Sequence, residues 1–297
     1  MHLRSRQRLL AQVFAALAAY LWGFTYSVSA AYLPALPLFD GGVRALLAGL
    51  ALLLLTRARP GDAHPTRLGR HQALTGALIA GFFAFHFTSL FTLPGGLAAA
   101  LQTLGPRWTI ALLWCIGGIR PRPWLAASAL LGAAGLALMV MFQAQQVSMF
   151  GVCAALISSL CLSSAGVART ANTHSLQEGI RTTSQELLFA GALLLGLCVV
   201  SGQWPHRLEG QQVLALLGVG LLLTALPFAL WFQALSWIGP QHTTSFMLLL
   251  PVVAALVDGT LNHRYPSSLQ LLGAVLAVMG IALSQRQPAA TASSRPA

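Results

Sequence analysis

The chain has 297 residues, of which 56% are apolar and 8% charged, and its 17 arginines, absent lysines and six acids give a formal net charge of +11. A soluble domain carries about a quarter charged residues, so this composition excludes a soluble globular protein and a disordered chain. It also excludes a nucleic-acid binder despite the basic balance, and indicates a protein that lies mostly in lipid.

Ten apolar stretches are long enough, at about 20 residues, to cross a bilayer as helices. Tight reversals at Pro94-Gly95 and Gly239-Pro240 separate neighbouring stretches. The N-terminus resembles a secretory signal, but its apolar stretch has the length of a full span, which favours an uncleaved first helix. The predicted spans are 10–29, 39–56, 73–93, 96–116, 124–142, 149–168, 183–201, 213–234, 243–261 and 268–284.

The placement of arginine predicts the orientation. With the N-terminus in the cytoplasm, thirteen arginines face the cytoplasm and two, Arg207 and Arg264, face outside. This bias predicts a multi-pass protein of a bacterial-type inner membrane with both termini in the cytoplasm. The arginines then face anionic lipid, so no nucleic-acid partner is needed. Segment 1–9 is predicted to be cytoplasmic, and 286–297 to be a disordered cytoplasmic tail.

The four cysteines lie inside apolar stretches and lack the spacing of a metal site or a disulfide framework. We predict that they are small buried thiols. Motifs for phosphate binding, metalloproteolysis and serine hydrolysis are absent from the sequence. The sequence therefore predicts no metal site and no catalytic residue.

The two halves of the chain show a weak internal repeat. Shifting the chain on itself by 145 residues aligns Pro106 with Pro251 and Gly95 with Pro240. Each half holds five predicted spans. Because five is an odd number, the second half enters the membrane from the opposite side, and the repeat must be inverted. We therefore predict an all-α integral membrane fold of ten helices, as two inverted five-helix repeats at 10–142 and 149–285, with a substrate site at the midplane between them.

Several segments resemble the EamA-type transporters of the drug/metabolite transporter superfamily. They are LWGF at 21–24, Arg44, AAALQTLGP at 98–106, LLLPVVAAL at 248–256 and LQLLGA at 269–274. The resemblance covers about residues 10 to 285. It implies two five-helix domains, a secondary carrier for small organic metabolites that often exports amino acids, and no cofactor.

Arg107 is the most costly residue of the predicted spans. It lies 11 residues into the fourth span, which is roughly 16 Å deep at 1.5 Å per residue. An arginine there costs about 2.5–3.5 kcal/mol on insertion scales. It is predicted either to bind a substrate carboxylate or to make a structural contact near the kink at Pro106. Arg44 either guards the outer mouth or snorkels to the headgroups. Trp108 is predicted either to stack on a guanidinium or a substrate ring or, in preference, to face lipid.

Polar and aromatic residues in other spans complete the predicted site. His86, among phenylalanines, is predicted to be a substrate ligand or proton relay, or else a structural histidine hydrogen-bonded to Thr88, Ser89 or a neighbouring helix. Trp22 and Tyr26 share one helix face. The predicted substrate-binding residues are Trp22, Tyr26, Arg44, His86, Gln102, Arg107, Trp231, His242 and Ser245, with Pro106 and Pro251 as helix kinks.

These observations predict a secondary transporter that exports a small organic metabolite, such as an amino acid, by alternating access. The alternatives are a drug or sugar-derivative carrier of the same superfamily, or an intramembrane enzyme acting on a lipid-linked substrate. Asp258 and Glu186 are proposed either as proton-coupling carboxylates or, in preference, as interfacial charges. The predicted partners are a small-molecule substrate and the lipid bilayer, and the protein is expected to be a monomer or a homodimer.

Overall fold

A computed structural model describes residues 5–57, 69–118, 148–169, 176–263, 265 and 267–284, together with isolated positions between 127 and 138. These residues form helices and no strand, which confirms the predicted all-α class. The predicted span 124–142 falls largely outside the described residues, and so do the first four residues and the tail at 286–297.

The helices follow the predicted spans closely at most boundaries. The helices are α1 Ser5–Tyr32, α2 Pro37–Arg57, α3 Arg70–Thr92, α4 Gly95–Gln102, α5 Gly105–Gly117, α6 Met149–Arg169, α7 Leu176–Val200, α8 Gly210–Leu217, α9 Leu226–Ser245, α10 Leu249–Asn262 and α11 Ser268–Ser284. A π-helical segment, Gly218–Ala225, connects α8 to α9, and a 3-10 turn, Phe246–Leu248, connects α9 to α10.

Six helices in the described part are long and apolar enough to cross a membrane. The sixth runs from Gly210 to Gly239, through α8, the π-helical segment and most of α9. Two shorter apolar helices, Leu249–Leu261 and Leu271–Gly280, follow it. Multiple membrane spans are therefore present, and the full count of ten stays a prediction.

The helical geometry is interrupted at both predicted chain reversals. Leu93 is extended and α4 begins two residues later at Gly95. Gly239 has φ 75° and ψ 167°, which interrupts α9 with a conformation that glycine adopts without strain.

The fourth span, predicted at 96–116 with a kink at Pro106, is divided into two helices in the structure. Residues 103 and 104 separate α4 from α5. Pro106 has no N–H to donate to the carbonyl four residues earlier, so the Gln102 carbonyl loses its helical partner. Ser159 Oγ of α6 donates to that carbonyl at 3.1 Å, and Ser163 Oγ donates to the Gly105 carbonyl at 2.9 Å. The break is thus stabilised by serines of a neighbouring helix.

The π-helical segment has a similar cause. Pro227 cannot donate to the Leu223 carbonyl, and the Leu226 N–H reaches back five residues to the Leu221 carbonyl. The Thr25 hydroxyl of α1 lies 3.3 Å from the freed Leu223 carbonyl and 3.2 Å from the Leu21 carbonyl of its own helix, so it shares its proton between the two acceptors. The predicted span 213–234 therefore contains a wider helical turn that the apolar pattern did not indicate.

Helices of the two halves pack closely against each other. The most extensive pair is α2 with α7, followed by α3 with α6 and by α1 with α9 and α10. A Cβ added to Gly191 of α7 would lie 2.9 Å from the Gly42 carbonyl oxygen of α2. The two backbones are therefore in direct contact, as small residues allow in membrane helices.

The structure corrects the predicted locations of two carboxylates and two cysteines. Glu186 and Asp258 are buried at 1% and 2% exposure rather than lying at the interface, because neighbouring helices cover the span ends that carry them. Cys115 and Cys153 are exposed on the helix surface, where lipid is the solvent, while Cys198 is buried. Within the described part of the chain, no cluster of His, Cys, Asp or Glu is able to hold a metal ion.

Candidate functional site

Arg44 of α2 is a buried cation among neutral groups. Its side chain is 5% exposed, which rules out snorkelling to the headgroups. Nε donates to Thr224 Oγ1 at 2.7 Å, and Cζ lies 5.3 Å from the Phe83 ring centre and 5.7 Å from the Phe87 ring centre. Nη1 is buried without a hydrogen-bond partner among the described residues. A guanidinium held this way has an unused donor that an acceptor can fill.

The π-helical segment supplies the hydroxyl that holds Arg44. Thr224 Oγ1 donates its own proton to the Val219 carbonyl, five residues earlier, at 2.6 Å. Its lone pairs therefore remain available to accept the Arg44 Nε–H. Segments of π-helix often occur at functional sites, and this one connects α2 of the first half to the second half.

His86 and Tyr26 complete what we call the Arg44 cluster, defined as Tyr26, Arg44 and His86 with the rings of Phe82, Phe83 and Phe87. The His86 ring stacks on Phe82 at 5.2 Å and meets Tyr26 and Phe87 edge-on at 5.1 and 5.7 Å. Both Tyr26 and His86 lie within electrostatic range of the Arg44 guanidinium. The cluster therefore places polar groups against an aromatic wall.

Thr88 and Ser89, which the sequence suggested as structural hydrogen-bond partners of the His86 ring, use their hydroxyls elsewhere. Thr88 Oγ1 donates to the Ala84 carbonyl, and Ser89 Oγ donates to the His86 backbone carbonyl. The imidazole Nδ1 is buried and has no hydrogen-bond partner in the described part of the chain. This nitrogen is available to a ligand.

Trp22 and Trp231 form a second aromatic group one turn along α1 from Tyr26. The Trp22 ring lies 5.3 Å from the Trp231 ring and 5.3 Å from the Phe228 ring. The structure thus brings together two residues predicted from different halves. Trp22 contacts α9 and Tyr26 contacts His86 of α3, so two side chains one turn apart on α1 meet different neighbouring helices.

Gln102 ends α4 at the break of the fourth span. Its Oε1 accepts from Ser158 Oγ at 3.2 Å, and the same hydroxyl lies 3.1 Å from the Phe82 carbonyl. Its Nε2 is buried without a partner among the described residues, and so is Trp108 Nε1. The Trp108 indole N–H therefore faces protein, whereas the sequence predicted that this residue faces lipid.

Several predicted site residues fall outside what the structure describes. The backbone positions of Arg107, His242 and Ser245 lie in α5 and α9, but their side chains are outside the described residues, as is the ring of Pro106. Pro251 is buried in α10, directly after the 3-10 turn. The structure therefore leaves the roles of these residues as predictions.

The sequence analysis missed Asp40 and Thr224. Asp40 is fully buried at 0% exposure, four residues before Arg44 on α2. The sequence did contain a signal for Asp40, because an acid stands at the start of an apolar span, one turn before an arginine. Thr224 had no such signal, because its contact with Arg44 depends on the π-helical turn.

Comparison with known proteins agrees with this architecture. Residues 149–285 match the EamA-like transporter family. The second half of the chain is therefore similar to an EamA domain. The resemblance predicted from the sequence is thereby confirmed, and the EamA domain coincides with the second predicted repeat.

Relatives extend the similarity over nearly the whole chain. Protein PecM of Dickeya dadantii (strain 3937) is 26% identical over 92% of this chain and 91% of its own length. The inner membrane transporter YedA of Escherichia coli (strain K12) is 25% identical over 94% of this chain and 92% of its own length. The chain is thus similar over nearly its whole length to an inner membrane transporter, which favours a transporter over an enzyme and supports a multi-pass location in the inner membrane.

A solved crystal structure shares the fold. It superposes with a TM-score of 0.69 at 20% sequence identity, over 93% of this chain and 97% of the other. This likeness concerns the fold alone and carries no information on the substrate.

Proposed function

We propose that this protein is a secondary transporter that exports a small organic metabolite with a carboxylate group, such as an amino acid, across the inner membrane by alternating access. The observation that carries the proposal is the buried guanidinium of Arg44, whose Nη1 has no partner among the described residues. A buried charge is costly unless something pairs with it. A substrate carboxylate supplies that pair through charge-assisted hydrogen bonds.

The other unpaired polar atoms support a ligand rich in acceptors. Arg44 Nη1 and Gln102 Nε2 are obligate donors, and His86 Nδ1 can donate or accept. Phe82, Phe83 and Phe87 offer apolar contact to the remainder of the substrate. We assign substrate contacts to the Arg44 cluster and to Gln102, and keep Trp22, Trp231, Arg107, His242 and Ser245 as further proposed contacts.

The pattern of helix packing supports two inverted repeats. Helix α1 packs on α9 and α10 of the second half, and α6 packs on α3, α4 and α5 of the first half. An approximate twofold exchange of the halves converts one set of contacts into the other and leaves the α2–α7 pair in place. This is the arrangement expected of domains 10–142 and 149–285 in a ten-helix transporter.

Close contacts at one end of the bundle support alternating access. Ser27 Oγ of α1 donates to the Ala254 carbonyl of α10 at 3.2 Å, and the Gly95 N–H of α4 donates to Asp258 Oδ2 of α10 at 2.9 Å. In the predicted topology these contacts lie in the outer half of the membrane. We call this set the outer contact, and propose that it separates when the transporter opens outward.

The test is a thermal-shift screen of the purified protein against amino acids and related metabolites, followed by flux in liposomes. A transported ligand raises the apparent stability by mass action and crosses the bilayer unmodified. A shift by drugs or sugar derivatives, and not by amino acids, would favour the alternative carrier. Chemical conversion of the solute would favour an enzyme and overturn the proposal.

Two further parts of the proposal concern coupling and assembly. Asp258 and Glu186 are buried carboxylates, and we keep either as a candidate residue for coupling transport to protons. Flux that is insensitive to a pH gradient would exclude proton coupling.

We also propose that the protein is a monomer or a homodimer. Light scattering of the purified protein measures its oligomeric state.

A further inference from the structure

Two buried acceptor oxygens lie near the outer end of α2 without a donor. Asp40 is 0% exposed; its Oδ2 accepts the Leu36 N–H at 2.9 Å, while its Oδ1 is buried without a partner among the described residues. Gln203 lies in the loop after α7, and its Oε1 is likewise buried and unpartnered in the described chain. Buried acceptors of this kind call for a donor.

Independent contacts bring the two residues into one neighbourhood. The rings of their sequence neighbours, Phe39 and Trp204, meet edge-on at 5.4 Å. Cys198 Sγ of α7 donates to the Gln203 backbone carbonyl at 3.0 Å, and Cys198 lies within electrostatic range of Asp40. The loop after α7 therefore packs against the first turn of α2.

The position of Asp40 relative to Arg44 suggests the donor. Residues four apart share a helix face, with Cβ atoms about 6 Å apart, so Asp40 and Arg44 lie one above the other on α2. The two side chains are turned to other partners, Leu36 and Thr224. One keeps a free acceptor oxygen and the other a free donor nitrogen. Together they complement a ligand that carries a positive and a negative group.

We propose that Asp40 and Gln203 bind the ammonium group of a zwitterionic substrate whose carboxylate is held by Arg44. An ammonium has three donors and no acceptor, so it satisfies Asp40 Oδ1 and Gln203 Oε1 together. The inference rests on the proposed carboxylate site at Arg44 and narrows the substrate to α-amino acids and similar zwitterions. Asp40 then selects against acids that lack the amino group.

The experiment compares three ligands of matched shape. L-leucine carries both charged groups, 4-methylpentanoate lacks the ammonium, and 3-methylbutylamine lacks the carboxylate; each has an apolar body suited to the phenylalanine wall. Affinities are measured by thermal shift and by isothermal titration of the full-length protein. Asp40→Asn is the key variant, because the amide oxygen still accepts the Leu36 N–H while the charge is lost. Glu209→Gln removes an exposed acid from the same loop as a control.

We expect Asp40→Asn to weaken L-leucine and 3-methylbutylamine about ten- to a hundredfold, the loss of one charge-assisted contact, and to leave 4-methylpentanoate unchanged. Gln203→Met shows a smaller loss with the same two ligands. Arg44→Gln weakens L-leucine and 4-methylpentanoate but not 3-methylbutylamine. Glu209→Gln matches wild type with all three.

The outcomes separate this inference from the proposed function. Equal losses for L-leucine and 4-methylpentanoate in Asp40→Asn, or no loss for L-leucine, overturn the ammonium site while leaving Arg44 in place. An Arg44→Gln variant with wild-type affinity for both acids overturns the carboxylate site itself. Wild-type protein that binds none of the three ligands overturns the zwitterion assignment.

Discussion

At the scale of single residues, Arg44 has the environment of a ligand-binding group rather than of a structural ion pair. Its contacts among the described residues include one hydroxyl and two aromatic rings, all neutral. The sequence indicated that an arginine lies in the second span, but two outcomes stayed open, a guard of the outer mouth or a snorkelling side chain. Burial depends on Thr224 and Phe87, which come from other helices, so local sequence could not decide between them.

Replacement of Arg44 tests the carboxylate site directly. Arg44→Gln keeps a donor for Thr224 but loses the charge, and should weaken a carboxylate substrate about ten- to a hundredfold, which corresponds to roughly 1.5–3 kcal/mol. Arg44→Lys should recover only part of the affinity, because an ammonium lacks the planar fork. The measurement is ligand affinity from thermal shift and titration, with exposed Arg207→Gln as the control. Wild-type affinity in Arg44→Gln would make the residue structural.

At the scale of helices, the sequence predicted the positions of the membrane spans better than the interruptions within the helices. Apolar length alone located α2, α3, α6 and α11 to within a few residues, because every spanning backbone in lipid must satisfy its own hydrogen bonds. The breaks near Pro106 and Pro227 require outside donors, Ser159 and Thr25. Such donors are distant in sequence, so a proline indicates a disturbance but not which helix stabilises it.

A double-mutant cycle tests this account of the π-helical segment. Thr25→Val removes the donor to the Leu223 carbonyl and should destabilise the protein by about 1 kcal/mol, the scale of hydrogen bonds in membrane helices. In a Pro227→Ala background the new N–H can bond that carbonyl, so the same change should cost less. Thermal denaturation in detergent gives the four stabilities, with exposed Thr260→Val as the control. Equal costs in both backgrounds would exclude Pro227 as the cause.

At the scale of the whole molecule, orientation and repeat symmetry are linked. An odd number of spans per half inverts the second half, and the arginine bias then places both termini in the cytoplasm. Reporter fusions at Arg70, the first residue of α3, and at Arg207, after α7, should therefore give signals from opposite sides of the membrane. Signals from the same side would contradict the predicted topology and with it the inverted repeat.

Alternating access makes a sharper prediction about which helices separate. A Cβ added to Gly96 of α4 would lie 3.0 Å from Ala255 Cβ of α10, near the 3.5–4.5 Å that a disulfide requires. In a background without Cys115, Cys153 and Cys198, oxidation of Gly96→Cys with Ala255→Cys should lock the outer contact and stop transport in liposomes, and reduction should restore it.

A control is Gly81→Cys with the native Cys161, since a Cβ at position 81 would lie 3.9 Å from Cys161 Cβ between α3 and α6. Because α3 and α6 pack extensively, we expect them to move together and tolerate the crosslink. Full transport by the oxidised Gly96–Ala255 pair would show that the outer contact never opens, and the rocking mechanism would then need a different pair of surfaces.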